Sequence, residues 1–167
     1  NASRTQLMDL KTQQWSKELC DLFKVPVDAL PPILDSDTNF GETDFDGLLP
    51  NAIPIHAAIG DSQGALFGHG CLKSGQVKTT YGTGSSIMMN SGESVSSCLH
   101  GVVNSAAWRR AGKRTYVLEG NINYSAGIIS YLKDDLKLIK SPSETEALAK
   151  AANPHDKCYF VPALSGL

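Results

Sequence analysis

The order of apolar and polar residues along the chain switches between a helical and an alternating period, and the switches mark out the elements. From Gln14 to Phe23 the apolar residues Trp15, Leu19, Leu22 and Phe23 share one helical face. Ser16 is a favoured N-cap and Pro26 stands beyond the end, so a packed surface helix is expected. Val27 to Leu49 breaks this order with Pro31-Pro32, Asp35, Asp37, Asp44, Asp46 and Gly47, which is turn chemistry around one short strand. Ile53 to Ile59 is a continuous apolar run of strand length between Pro50 and Gly60, the pattern of a strand buried on both faces. Gln63 to His69 reads as a short helix, weakened by Gly64 and Gly68.

Alternation then takes over. Gln76 to Thr80 and Ser86 to Met89 have the look of hairpin arms joined at Gly82-Thr83-Gly84, and Val102 to Trp108 and Thr115 to Leu118 form a second such pair around Arg110-Ala111-Gly112-Lys113. Successive strands imply antiparallel pairing. From Ser125 to Leu138 the residues Ile128, Ile129, Tyr131, Leu132, Leu136 and Leu138 recur at helical spacing opposite Lys133, Asp134, Asp135 and Lys137, an amphipathic helix. Ser141-Pro142-Ser143-Glu144 has the form of a capping box with proline at N1, opening a helix through about Ala152. Strands followed by covering helices define an α/β layered domain.

Composition narrows the function classes. With 167 residues, 41% hydrophobic and 19% charged, the chain is globular, and its net charge of −2 without a basic run argues against nucleic acid or an anionic membrane surface as partner. Cys20, Cys71, Cys98 and Cys158 lack CxxC or Cys/His spacing and read as reduced thiols of a cytoplasmic protein. His56, His69, His100 and His155 lack metal-ligand spacing, and the acids of residues 35–46 lack a calcium-loop pattern, so both groups are expected to be ordinary polar residues. Arg109, Arg110, Lys113 and Arg114 are expected at a solvated hairpin tip. The apolar closing run Tyr159 to Leu167 has a strand-like pattern, and with a start that lacks methionine it suggests an excised piece of a longer protein.

Two segments could carry chemistry. Asp61 follows the expected strand, which would place its carboxylate at the carboxyl edge of a sheet, where open α/β folds bind ligands. There it could take a proton from a hydroxyl attacking a phosphoryl group, or indirectly help position Mg²⁺; the local pattern by itself favours an N-cap of the helix opening at Ser62. Gly82-Thr83-Gly84-Ser85-Ser86 offers successive backbone N–H groups unobstructed by Cβ atoms, a candidate cradle for nucleotide phosphates, though a plain hairpin loop has the same look. It is not a GxxxxGK[ST] loop, and no serine lies in a GxSxG elbow.

Taken together, the residues resemble the FGGY family of carbohydrate kinases, in particular its glycerol kinase branch. The resemblance rests on Asn1-Ala2-Ser3-Arg4-Thr5, Gly60-Asp61-Ser62-Gln63-Gly64-Ala65-Leu66-Phe67-Gly68, Thr80-Tyr81-Gly82-Thr83-Gly84, Leu118-Glu119-Gly120, Tyr131-Leu132-Lys133-Asp134 and the closing Phe160 to Leu167, in the family's order across nearly the whole chain. It implies an actin-like, ribonuclease H-like kinase fold of mixed sheets with flanking helices. Residues 1–70 would be the end of the first, substrate-side domain and 71–167 the beginning of the second, nucleotide-side domain.

The resemblance further implies that Asp61 is the catalytic base and substrate contact beside Ser62. Gly82, Thr83, Gly84 and Ser85 would contact the phosphates of ATP, Ala126 and Gly127 would lie near the nucleotide, and Mg²⁺ would accompany it. The expected partners are ATP and a polyol or sugar, with room for a homodimer. The family pattern has glycine where Ala126 stands, and glycerol kinases have glutamine where Ser62 stands. The shorter side chain leaves xylulose or another pentulose as rival substrate, and a non-catalytic nucleotide-binding module of the actin-like kind is the competing class.

Overall fold

The computed structural model describes residues 1–97, 101–164 and 166. The expectations placed on Cys98, His100, Ser165 and Leu167 lie outside the described residues. Two compact units are present, one of Asn1–Lys78 with Met88–Gly120 and one of Thr79–Ile87 with Asn121–Leu167.

The first unit opens with a 3-10 turn, Ala2–Thr5, followed by the short antiparallel strands β1 (Met8–Asp9) and β2 (Gln14–Trp15). Helix α1 spans Lys17–Phe23, so Gln14 and Trp15 belong to a strand and not to the expected helix. Ser16 is the cap, its Oγ accepting from the Leu19 N–H at 3.3 Å, which satisfies one of the orphan donors of the first turn. The helix buries Cys20 and leaves Leu22 and Phe23 exposed, and the Trp15 indole donates to the Pro31 carbonyl at 2.8 Å; the expected apolar face therefore does not form.

Strand β3 (Glu42–Thr43) pairs antiparallel with β4 (Ile53–Pro54), and only these two residues of the 53–59 run are strand. Pro54 has no N–H to continue a ladder. Beyond it, Ile55 exchanges bonds with Phe40 and Gly41, and the Ala58 N–H reaches the Ser36 carbonyl. Ile53, Ile55 and Ile59 are exposed, which corrects the expectation of a strand buried on both faces.

Helix α2 (Asp61–Gly68) leads into β5 (Val77–Tyr81), β6 (Ser85–Gly92), β7 (Val103–Arg110) and β8 (Lys113–Ile122), whose spatial order is β5-β6-β8-β7. Both expected hairpins are present. β7 and β8 are antiparallel, with Val103 opposite Glu119 and Arg110 opposite Lys113, and a register shift between Ala106 and Trp108. Their turn, Ala111-Gly112, has φ 46 and 74, the paired left-handed conformation of a tight hairpin loop. Leu66, Cys71, Met88, Ala107, Trp108 and Val117 form the core of this unit, with Phe67 edge-on to Trp108 at 5.2 Å between ring centroids. Full burial of a leucine such as Leu66 stabilises by about 1.5–3 kcal/mol, so a few such residues carry the packing of α2 on the sheet.

The tip at Ala111-Gly112 is solvated, with Arg110 and Lys113 exposed, but the arginines also hold partners. Arg109 binds the Asp35 carboxylate and the Ile33 carbonyl, Arg110 pairs with Asp37 and lies over the Phe67 ring, and Arg114 donates to the carbonyls of Lys11 and Thr12. Asp35 and Asp37 are therefore structural partners, not loose loop acids. The Gly112 N–H, donating at 2.7 Å, and the Arg109 guanidinium hold the Asp35 carboxyl below its ordinary value. A depressed carboxylate contributes stability above its unfolded pKa of about 4 and loses it as pH falls through the folded value. Asp35→Asn is accordingly expected to lower the urea midpoint at pH 7 and to match the unsubstituted protein near pH 2; an equal gap at both pH values would refute this account.

In the second unit the expected amphipathic helix is two pieces, α3 (Gly127–Ser130) and a π-helical turn, Tyr131–Asp135. Ile128, Ile129, Tyr131 and Leu132 are half-buried, Leu136 and Leu138 are exposed, and Lys137 has φ 54, which ends the helical path. Helix α4 covers Glu144–Ala151 behind Ser143, without a side-chain cap bond. The expected capping box does not form because Ser141 Oγ accepts from the nearer Ser143 N–H at 3.2 Å. Tyr159–Val161 is not strand; these residues are exposed, with Phe160 stacked on Tyr131.

Candidate active site

In the first unit Asp61 is the first residue of α2, and Gly60, with φ −65 and ψ 148, occupies the cap position. The N-cap alternative for Asp61 is thereby removed. Its side chain is exposed at the head of the helix, Oδ1 accepting from the Ser62 N–H at 2.6 Å. The approach is a loop and not a buried strand, so the carboxylate is presented to solvent by the helix start alone. An acid in the first turn is also favoured by the helix dipole. Ser62 is half-buried beside it and Gln63 is buried.

Close approach explains the glycine before Asp61. A Cβ at Gly60 would stand 2.6 Å from Gln63 Oε1 and 3.3 Å from Asn1 Oδ1. The start of α2 is thus packed against the first residue of the Asn1-Ala2-Ser3-Arg4-Thr5 motif. That turn is tied to the sheet by Arg4, whose Nη2 meets Glu119 Oε2 at 2.5 Å, while Ser105 Oγ donates to Glu119 Oε1 at 2.8 Å. The role of Glu119 escapes a reading of the sequence. The signals it leaves in the chain are its place in the Leu118-Glu119-Gly120 motif and a carboxylate within the strand run Tyr116-Val117-Leu118-Glu119, where Tyr116 and Val117 are buried.

In the second unit the Gly82–Gly84 turn and the 125–127 segment come together. The Thr83 carbonyl accepts from the N–H groups of Ser125 at 2.8 Å and Gly127 at 3.0 Å, the Gly82 carbonyl accepts from Ala126 N–H at 3.0 Å, and the Gly82 N–H donates to the Gly84 carbonyl at 2.9 Å. The simple picture of an open row of donors needs correction, since the Gly82 N–H and those of residues 125–127 are already engaged. The exposed tip is Thr83, and among the described residues Ser85 Oγ is buried without a hydrogen-bond partner. Gly127 fits because a Cβ there would lie 3.0 Å from both Thr83 Cγ2 and the Thr83 carbonyl oxygen. Ala126, at φ −65 and ψ −18, needs no glycine conformation. Among the described residues no group of three or more His, Cys, Asp or Glu is placed to hold a metal ion.

Comparison with known proteins defines the class. The fold matches Plasmodium falciparum glycerol kinase with ADP at TM-score 0.83 and 35% identity over 91% of this chain and 31% of that one. It also matches a xylulose kinase from Rhodospirillum rubrum at TM-score 0.75 and 17% identity over 96% and 33% of the two chains, a likeness of fold alone. This is the actin-like fold of the sugar kinases. Residues 1–68 match the FGGY family of carbohydrate kinases, N-terminal domain, and the whole chain is 44% identical to the glycerol kinase of a Nostoc species over 34% of that protein. The chain is thus similar over its whole length to members of the FGGY family of carbohydrate kinases. It spans about a third of the length of the curated relatives it matches.

Proposed function

We propose that the whole protein is an ATP-dependent kinase that phosphorylates a hydroxyl of a polyol, glycerol foremost. The observation that carries this reading is the alignment of the entire chain with glycerol kinases, with Asp61 exposed at the head of α2. In the reaction Asp61 accepts the proton of the attacking hydroxyl as the new oxygen–phosphorus bond forms, and the bond from the γ-phosphorus to the bridging oxygen breaks to release ADP. Ser62 lies against the substrate. Gly82, Thr83, Gly84 and Ser85 cradle the phosphates, with Ala126 and Gly127 close to the nucleotide. Mg²⁺ bound with the nucleotide would supply charge neutralisation on the phosphates, and Asp61 would help position it only indirectly. In domain terms residues 1–70 serve the substrate side and 71–167 the nucleotide side, and the enzyme works in the cytoplasm, where ATP is available. No described helix is long and apolar enough to cross a membrane.

The second reading is a pentulose such as xylulose, favoured by the small side chain of Ser62. The test is ATP consumption by the full-length protein with glycerol, xylulose, ribulose, erythritol and gluconate. Selective turnover of glycerol is expected. Preference for xylulose would replace the substrate and keep the chemistry, whereas nucleotide binding without turnover on any of the five would favour a non-catalytic module.

A further inference from the structure

We infer that Glu119, acting through Arg4, is a positioning residue for Asp61, an inference that rests on the kinase reading above. Glu119 is 6% exposed, yet it keeps a carboxylate where its strand neighbours are apolar. Glu119 is buried but the Arg4 side chain is half-exposed, and neither exposed nor buried ion pairs are by themselves strong evidence of a stabilising role. Its geometry suggests what it does. The carboxylate is held from below by Ser105 Oγ at 2.8 Å, and its other oxygen holds Arg4.

Arg4 cannot move independently of its turn. The Arg4 N–H bonds the Asn1 carbonyl at 3.0 Å and Thr5 Oγ1 bonds the Ala2 carbonyl at 2.7 Å, and the turn packs on β7. At the other end of the turn Asn1 Oδ1 abuts Gly60, whose carbonyl receives the Gly64 N–H at 2.7 Å and closes the first turn of α2. One ion pair, one hydrogen-bonded turn and one side-chain approach, Asn1 Oδ1 lying 3.3 Å from where a Gly60 Cβ would stand, therefore connect Glu119 to the residue before Asp61, all within the first unit. A misplacement of about 1 Å at a reacting group can cost on the order of a hundredfold in rate, so a link of this kind acts on turnover more than on substrate affinity.

The test uses Glu119→Gln in the full-length protein, which keeps side-chain volume and the acceptor for Ser105. Two readouts are taken: steady-state kinetics and amide hydrogen exchange at residues 60–64. The expected result is a fall in kcat of about tenfold or more with the KM for ATP unchanged, and faster exchange confined to the start of α2. Arg4→Met should reproduce it, the double variant should be no worse than either single one, and Arg4→Lys, which keeps the positive charge, should restore most of kcat. Unchanged exchange at residues 60–64 overturns the inference whatever the turnover. A global rise in exchange with no recovery in Arg4→Lys also overturns it, since Glu119 would then be only structural. Failure of the parent protein to phosphorylate any sugar defeats the kinase reading instead, and the exchange data still decide whether the link exists.

Discussion

Asp61→Asn in the full-length protein is expected, on the proposed kinase reading, to lower kcat by about 10²- to 10⁴-fold, the usual contribution of a positioned general base, while the KM for ATP and the thermal midpoint stay close to those of the parent. The substitution is nearly isosteric, but an amide cannot take the hydroxyl proton. It is also structurally mild. Asp61 is exposed, Gly60 already holds the cap position, and the side chain serves no partner beyond the adjacent Ser62 N–H. Loss of a first-turn charge costs roughly 0.3–1 kcal/mol through the helix dipole, too little to unfold a domain. Initial rates at saturating sugar and nucleotide, paired with a thermal melt, separate the two effects. Turnover within a few-fold of the parent would remove Asp61 from the role of base.

What could be read from the sequence was what neighbouring residues encode. Ser16 marks the start of α1, and Gly82-Thr83-Gly84 and Ala111-Gly112 mark two hairpin turns, because a cap and a tight turn depend on the conformation of a few adjacent residues. The run Ile53 to Ile59 misled for the complementary reason. Apolar composition states what a segment would gain by burial, not whether anything packs on it, and regular strand covers only Ile53–Pro54 of this run. The turn at Tyr131–Asp135 widens without disturbing the apolar spacing, so periodicity reads one helix through it.

Contacts between distant segments were the other blind spot. Arg109 and Asp35 are 74 residues apart and Arg4 and Glu119 are 115 apart, and no local pattern pairs them. For the candidate site the same division holds. Asp61 was singled out as a candidate from its place before a helix and from the family resemblance, and the Gly82–Gly84 turn was legible from glycine spacing. The docking of residues 125–127 onto that turn was not, although the need for glycine at position 127 is its trace in the chain.

Gly84→Ala is expected to damage both folding and nucleotide use, for a steric reason that distinguishes it from its neighbour. A Cβ at Gly84 would sit 2.7 Å from the Ile122 carbonyl oxygen and 3.0 Å from that of Asn123, both backbone atoms that cannot swing aside. The turn must therefore lift away from the 122–127 segment, weakening the bonds from Ser125 and Gly127 to the Thr83 carbonyl. Overpacking of this kind costs about 1–3 kcal/mol. In the full-length enzyme a displaced Thr83 tip and Ser85 hydroxyl should also raise the KM for ATP by roughly tenfold, the equivalent of one lost hydrogen bond to a charged group. Gly82→Ala is the matched control: its Cβ would meet only the Gly84 carbonyl oxygen, at 3.4 Å, an ordinary contact, and its expected stability cost stays below about 1 kcal/mol. Denaturant titration of the two variants decides the matter. If both lose the same stability, close backbone approach at Gly84 is not what holds the turn in place.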